Sequence, residues 1–197
     1  MMMRWLMVIL FLGNAARAAD APRGQIETIA TTEYYEVRGR NVTEVRKVMN
    51  EQGPRNGKLD RRFDARTDWE VNWKYQYDGA LAKQGFFRLT KWQIDLKVNV
   101  IMPKWENVAE ALPFERRAWQ VYLARLKLHE DGHVKIAERT AVALNESLNT
   151  IGFYTSKAKL EGAIKERADK ILRKYSGQHI DYDRRTQHGK TQGARFP

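Results

Sequence analysis

The chain has 197 residues, with 35 lysines and arginines against 24 acidic residues, and it contains no cysteine. This length is enough for one domain with its own core. The lack of cysteine excludes disulfides and any cysteine-ligated metal site. The net positive charge indicates either general solubility or anionic partners such as envelope polymers or a membrane surface, and no recognition motif indicates a nucleic-acid partner.

The first residues have the order of a secretory signal peptide. Arg4 precedes an apolar run at residues 5–13, and an A-x-A cleavage site ends at Ala18. The apolar run is too short to cross about 30 Å of hydrocarbon as a helix, so we expect no stable membrane span after cleavage. The sequence therefore predicts a signal peptide at residues 1–18, a secreted or periplasmic location, and a single mature domain at residues 19–197.

The start of the mature chain predicts a strand, a short helix and a loop. Residues 27–37 are rich in Thr, Tyr and Ile, a composition typical of strands. Asn41, with Glu44 three residues later, resembles a capping box and predicts a helix at residues 42–51. The charged residues 55–64 are interpreted as a loop.

Two segments in the middle of the chain alternate between apolar and polar residues. They span residues 69–78 and 91–100, and the second is expected to end at Pro103. A period of two predicts two antiparallel strands, each with one face toward the core. The aromatic row of the first strand is interpreted as core, with a carbohydrate or peptide groove as the alternative.

The segment with the clearest chemical meaning follows. Residues 126–136 read LKLHEDGHVKI and place His129, Glu130 and His133 in an H-E-x-x-H pattern. On a helix, residues four apart lie on one face, so both imidazoles can bind the same ion. A catalytic zinc has three protein ligands and an open position for water, whose proton Glu130 could accept. The alternative is a surface helix that carries two histidines without metal.

Apolar residues at helical spacing continue on both sides of this motif and predict one long amphipathic helix. Pro113 is placed to begin the helix and Gly152 to end it. Gly132 lies inside the motif, where its missing side chain would let a substrate or another backbone approach the metal. A second amphipathic helix is predicted from Ser156 to a point near Gly177.

The motif leaves the third zinc ligand open. Glu138 and Glu146 fall off the ligand face of a continuous helix, so the ligand must come from elsewhere in the chain. Residues 178–197 hold the other two histidines and are expected to fold back over the metal as an irregular tail. We favour His188, which precedes Gly189, a residue that allows a tight turn. The alternatives are His179, Asp181, Asp183, Glu161 and Glu166.

The sequence also resembles a bacterial family described as predicted secreted zinc-dependent proteases and filed as a domain of unknown function. The resemblance covers most of the mature chain and is carried by YYEVRG, TDWEVNWKY, MPKW, the HEDGH helix and YDRRTQHGKTQGA, in that order. It implies export and a metal-dependent hydrolase. It also implies that His129, His133 and His188 bind zinc.

We therefore predict a zincin-like α+β domain in which a small antiparallel sheet packs on the motif helix and the C-terminal helix. The predicted function is hydrolysis of peptide bonds in a peptide or protein substrate, with Zn²⁺ as cofactor. Glu130 would act as general base, and Tyr182 is a candidate to stabilise the oxyanion. The alternatives are a non-catalytic basic module that binds envelope polymers and a hydrolase of cell-wall peptide stems.

Overall fold

The computed structural model describes residues 23–56 and 61–196, so the predicted signal peptide lies outside the described residues. The strands are β1 Arg23–Val37, β2 Arg55–Asn56, β3 Arg61–Arg62, β4 Arg66–Tyr77 and β5 Leu89–Trp105. The α-helices are α1 Val42–Gln52, α2 Gly79–Lys83, α3 Pro113–Asn149 and α4 Lys157–Thr186. Short 3-10 helices lie at Val108–Glu110 and Lys190–Gln192.

Strands β1, β5 and β4 form a three-stranded sheet with β5 in the centre. β4 pairs antiparallel with β5, with Trp73 opposite Ile94, as the alternation predicts. β1 pairs parallel with β5, with Ile26 opposite Ile94. The sheet is therefore mixed, and the prediction of an antiparallel sheet is wrong for β1. Apolar alternation shows which face of a strand is buried, but it does not fix the direction of the neighbouring strand.

β5 continues past Pro103, where the sequence predicted its end. The pairing with β1 extends to Val37 opposite Trp105, whereas the pairing with β4 stops at Arg66 opposite Ile101. At Pro103, β5 therefore pairs with β1 but not with β4. Proline lacks an N–H group, and at this position β5 has no hydrogen bond to β4 to lose. The loop predicted at residues 55–64 contains the two short strands β2 and β3, which pair with each other.

Helices α3 and α4 supply the apolar side chains that cover one face of the sheet. Their aliphatic residues pack with the inward residues of β5 in the main core, and burial of each such side chain contributes about 1.5–3 kcal/mol. The buried members include Ile94, Leu96, Val98, Ala141, Leu144, Leu160 and Ile164. A second buried cluster joins α1 to the first half of α3 and includes Val45, Met49, Trp105, Trp119 and Tyr122.

The helices confirm most of the predicted boundaries. α1 begins at the predicted cap, since the Asn41 Oδ1 accepts a hydrogen bond from the Glu44 N–H at 3.0 Å. α3 begins at Pro113 and runs through the motif without a break, and Ser156 caps α4. In the described ranges, none of the helices has the length and apolar character needed to cross a membrane.

The C-terminal helix differs from the prediction. α4 does not end near Gly177 but continues to Thr186, so an irregular tail at residues 178–197 is wrong for its first half. Past Gly177, the helix packs on α3 through His179 and Tyr182, whose rings stack on those of the motif histidines. This packing offsets the cost of about 1 kcal/mol that a glycine imposes on a helix interior.

Candidate metal centre

α3 carries the H-E-x-x-H residues on its buried side. The exposed fractions of His129, Glu130 and His133 are 3%, 3% and 8%. Most polar side chains at such depth are paired or bind a metal, because leaving water without a partner is costly. The two histidines lie one turn apart on the same face, and their ring centroids are 4.9 Å apart.

α4 brings a carboxylate to the same point. The Oδ1 atom of Asp183 lies 3.2 Å from Nε2 of His129 and 3.1 Å from Nε2 of His133. One ligand atom from each of these three side chains lies within 4.8 Å of the other two. Two imidazoles and a carboxylate thus converge at the contact between the two long helices.

This donor set fits a zinc ion. Zinc binds imidazole nitrogen and carboxylate oxygen at about 2.0–2.2 Å, so neighbouring ligand atoms in a tetrahedral site lie roughly 3.3 Å apart. The two distances from Asp183 to His129 and His133, 3.2 and 3.1 Å, are close to that separation. Two histidines with one carboxylate also match a ligand composition found in catalytic zinc sites, which leave a fourth position open.

The second ring nitrogen of each histidine has its own partner. Nδ1 of His129 lies 3.0 Å from the Gln192 Oε1, and Nδ1 of His133 lies 2.9 Å from Nδ1 of His179. Such contacts fix the orientation of metal-binding imidazoles and leave Nε2 free for the ion. Both rings are therefore held with Nε2 toward Asp183.

His179 lies between two rings, stacked on Trp69 at 5.2 Å and on His133 at 5.2 Å between centroids. The pKa of His179 is lowered to about 4, mainly by burial and to a lesser extent by the nearby His133. A neutral His179 can accept a hydrogen bond from the Nδ1–H of His133. The residue therefore supports His133 rather than competing with it for the ion.

The carboxyl groups of the site differ in their electrostatics. Burial opposes ionisation of Asp183, but hydrogen bonds from His129 and His133 hold its pKa well below the usual range. Burial raises the pKa of Glu130, and the hydrogen bond that Thr67 Oγ1 donates to its Oε2 at 2.5 Å acts in the opposite direction. One carboxyl group is thus strongly acidic and the other has an increased affinity for a proton.

His188, the favoured third ligand, lies beside this group. Its Nδ1 is 3.3 Å from the Asp183 Oδ1, and 42% of its side chain is exposed. It follows the end of α4 in a left-handed conformation, with φ of 53°. The group of His129 and His133 is completed by Asp183, one of the alternatives that the sequence left open. His188 lies next to this group on its solvent-exposed side.

The remaining alternatives lie elsewhere. Asp181 forms an ion pair with Arg184 at 2.7 Å. Glu161 and Glu166 precede Asp183 on the same straight helix by about 33 and 26 Å along its axis, too far to share a ligand position with it.

Tyr182 packs against the candidate ligand His129. Its ring stacks on His129, with centroids 5.1 Å apart, and its hydroxyl donates to the His129 carbonyl oxygen at 3.2 Å. The same hydroxyl accepts from the Gln192 Nε2 at 3.0 Å. These contacts favour a positioning role for Tyr182 over contact with an oxyanion.

Two glycines allow this close packing. A Cβ on Gly132 would lie 2.1 Å from the Tyr182 hydroxyl oxygen, so this glycine admits α4 rather than a substrate. Gly189 has φ of +84°, and a Cβ there would lie 3.1 Å from that of His129. Both positions are needed to bring the C-terminal segment against the motif helix.

The candidate ligands open onto a cleft of about 1050 Å³. One wall is the beginning of β4, and another combines β3 with the segment after α4. Thr67, Trp69, Phe63 and Lys190 are among the side chains that line these walls, together with His129, Glu130, His133 and Asp183. The site is therefore open to a ligand larger than water.

Sequence reasoning missed two supporting residues, Thr67 and Gln192. Their contacts with the motif span 63 residues each, and no local pattern records them. A signal for Asp183 does exist, because His179, Tyr182, Asp183 and Thr186 recur at helical spacing of three, four and seven residues.

Fold and site together define an α+β protein with a candidate metal centre between two long helices. The chain belongs to the DUF922 family of bacterial proteins of unknown function, whose sequence profile matches residues 32–189. The match includes the H-E-x-x-H helix, Asp183 and His188. Searches of curated proteins and of solved structures found no match.

Proposed function

We propose that this protein is an exported zinc-dependent peptidase, in which His129, His133 and Asp183 hold the ion and Glu130 is the general base. The observation that carries the proposal is the convergence of two imidazoles and one carboxylate beside a buried glutamate in an open cleft. Export rests on the N-terminal sequence pattern and on the family resemblance, which also implies it. His188, which the sequence favoured as third ligand, becomes a neighbour of the site.

A bound zinc ion would supply an acidified water and polarise the carbonyl of the substrate. The residues of the chain do the remaining work. Glu130 accepts the proton of the attacking water and passes it to the leaving amine, and its raised pKa favours this exchange. Thr67 holds the Glu130 carboxylate from the β4 side through its hydroxyl.

A peptide is the substrate that suits this cleft best. β4 is an outer strand of the sheet, and its residues Arg66 to Trp69 line the cleft beside Glu130. An outer strand can pair with an extended peptide through backbone hydrogen bonds, while neighbouring pockets select side chains. The substrate backbone would then lie along β4, within reach of Glu130.

Replacement of Glu130 by Gln tests the proposal. The amide keeps the size and the hydrogen bond with Thr67 but cannot accept the proton, so we expect zinc binding to persist and peptide hydrolysis to fall by about 100-fold or more. Glu138→Gln, an exposed change two turns along α3, is the matched control and should remain fully active.

Hydrolysis would be measured on casein and on purified cell wall, with and without a chelator. Full activity of Glu130→Gln would contradict the proposed base. A zinc-loaded wild-type protein that cleaves neither substrate but binds cell wall would instead favour the non-catalytic envelope-binding module.

A further inference from the structure

One wall of the cleft is strongly basic. Arg61 on β3, Lys190 after the end of α4 and Arg195 near the C-terminus all line it, and all three are exposed. We call these three residues the basic wall. Among the described residues, none of the three has a carboxylate as an ion-pair partner. The Arg61 guanidinium lies over the Phe63 ring at 5.5 Å, and the Arg195 Nε donates to the Lys190 carbonyl oxygen at 3.2 Å.

Two other arginines of the cleft are neutralised by the acids beside them, and Arg62 donates to the Gly53 carbonyl oxygen at 2.8 Å. Arg46 pairs with Asp64 at 2.7 Å, and Arg66 pairs with Asp68 at 2.6 Å. Asp64 also accepts the Tyr122 hydroxyl at 2.5 Å. These acidic groups are already engaged, so the basic wall keeps a positive charge that the nearby carboxylates do not compensate.

The charge is confined to one side of the candidate metal centre. Phe63 follows the hairpin of β2 and β3, and its ring centroid lies 5.3 Å from that of His188. Because Arg61 lies over the Phe63 ring, the basic wall is on the His188 side of the candidate metal centre. On the other side, Trp69 stacks on His179, which stacks on His133. The cleft is cationic on one side of the candidate metal centre and aromatic on the other.

We infer that the cleft selects peptides that carry a carboxylate on one side of the scissile bond, where the basic wall contacts it. This inference rests on the proposed peptidase function and names its substrate class. Charged groups across a recognition surface act mainly through complementarity, and a basic wall disfavours lysine or arginine at the same substrate position. The carboxylate can belong to an acidic side chain or to the C-terminus of a peptide.

Binding to the zinc-loaded Glu130→Gln variant tests the inference without turnover. Three dye-labelled peptides would be compared by fluorescence anisotropy: one with internal Asp and Glu and an amidated C-terminus, one with Lys in their place, and one neutral with a free C-terminus. We expect at least one carboxylate-bearing peptide to bind roughly ten-fold more tightly than the lysine peptide, from three exposed charge contacts. The peptide that gains affinity identifies the source of the carboxylate.

The triple variant Arg61→Glu, Lys190→Glu, Arg195→Glu should abolish or invert this preference. The matched control Lys91→Glu, Lys170→Glu, Arg173→Glu changes the net charge equally at exposed positions outside the cleft and should preserve it. Zinc content and circular dichroism would verify folding. Arg61→Gln with Lys190→Gln is a milder variant that should weaken the preference in the same direction.

Equal binding of all three peptides would overturn the inference, as would an equal loss of preference in the control. Hydrolysis assays on the wild-type protein test the carboxylate preference and the peptidase function separately. Cleavage of acidic and basic peptides at the same rate would support the peptidase proposal and contradict the inferred preference for carboxylates. Tight binding of carboxylate peptides without any cleavage would support the preference for carboxylates and contradict the peptidase proposal.

Discussion

The two helices that form the candidate site contribute to it in different ways. α3 supplies His129, Glu130 and His133 from five consecutive residues, so one helical turn alone places them on a common side. α4 supplies Asp183 from a point 50 residues beyond His133, and only the packing of the two helices brings it into place. The part of the site on α3 depends on the local geometry of one helix, and the part on α4 depends on tertiary packing.

This difference predicts which half tolerates change. The α3 residues are buried in a helix with core contacts along most of its length, whereas Asp183 sits in the last turn of α4, followed by a left-handed turn at Gln187. Helix ends open more readily than helix centres. We therefore expect the α3 half to dominate metal binding and the α4 half to tune it.

The largest expected effect follows from removing an α3 histidine. His133→Ala leaves two candidate ligands, and zinc affinity should fall by roughly 1000-fold or more compared with a three-ligand site. His129→Ala should behave alike. Elemental analysis after dialysis measures this, with the exposed change Lys135→Ala as control. Retention of one equivalent of zinc by either variant would show that the motif is not the metal site.

The next effect separates Asp183 from His188. Asp183→Asn should weaken zinc by about 100-fold, because the carboxylate that faces both Nε2 atoms is lost. His188→Ala, at an exposed position beside the group, should cost less than about ten-fold. Competition with a chromogenic chelator gives both affinities. The opposite order would make His188 the third ligand, as the family resemblance implies.

A smaller effect is expected from the support of His129. Gln192→Ala removes the oxygen that lies 3.0 Å from its Nδ1, and loss of such a contact costs about 10-fold to 100-fold in metal affinity. Gln192→Glu keeps an acceptor oxygen and should retain most of the affinity. If both substitutions weaken zinc equally, the hydrogen bond that the Gln192 Nε2 donates to the Tyr182 hydroxyl matters more than the contact of Gln192 with His129.

Most of the fold was predictable because its signals are local. The alternation of β4 and β5, the cap at Asn41 and the extent of α3 all depend on neighbouring residues, and the structure confirms them. The parallel direction of β1 depends on the path of the chain between distant strands, which periodicity does not record.

The part of α4 beyond Gly177 was not predicted, for a related reason. A search for apolar periodicity finds the end of the aliphatic stripe near Gly177, but the helix continues on a stripe of His179, Tyr182 and Thr186. His179 and Tyr182 stack on the motif histidines, and the Thr186 Oγ1 lies 3.4 Å from Nδ1 of His129. Polar residues at helical spacing can therefore mark a helix that packs on a functional site.

The smallest expected effect tests the packing that joins the two halves. In Gly132→Ala, the new methyl group meets the Tyr182 ring and hydroxyl, so the contact between α3 and α4 must shift, at a cost of about 1–3 kcal/mol. Gly177→Ala is the matched control in the other helix, because no atom lies within 4 Å of its new Cβ. That substitution should stabilise the protein by up to about 1 kcal/mol, since alanine favours a helix interior.

Chemical denaturation in the presence of a chelator measures both changes without a contribution from bound metal. A destabilised Gly132→Ala together with a stabilised Gly177→Ala would show that α4 packs on the motif through Tyr182 before any ion binds. Equal stabilisation by both substitutions would contradict this packing, because a glycine that only tolerates a helix gains from alanine wherever it lies. The α4 half of the site would then have to be assembled by the ion itself.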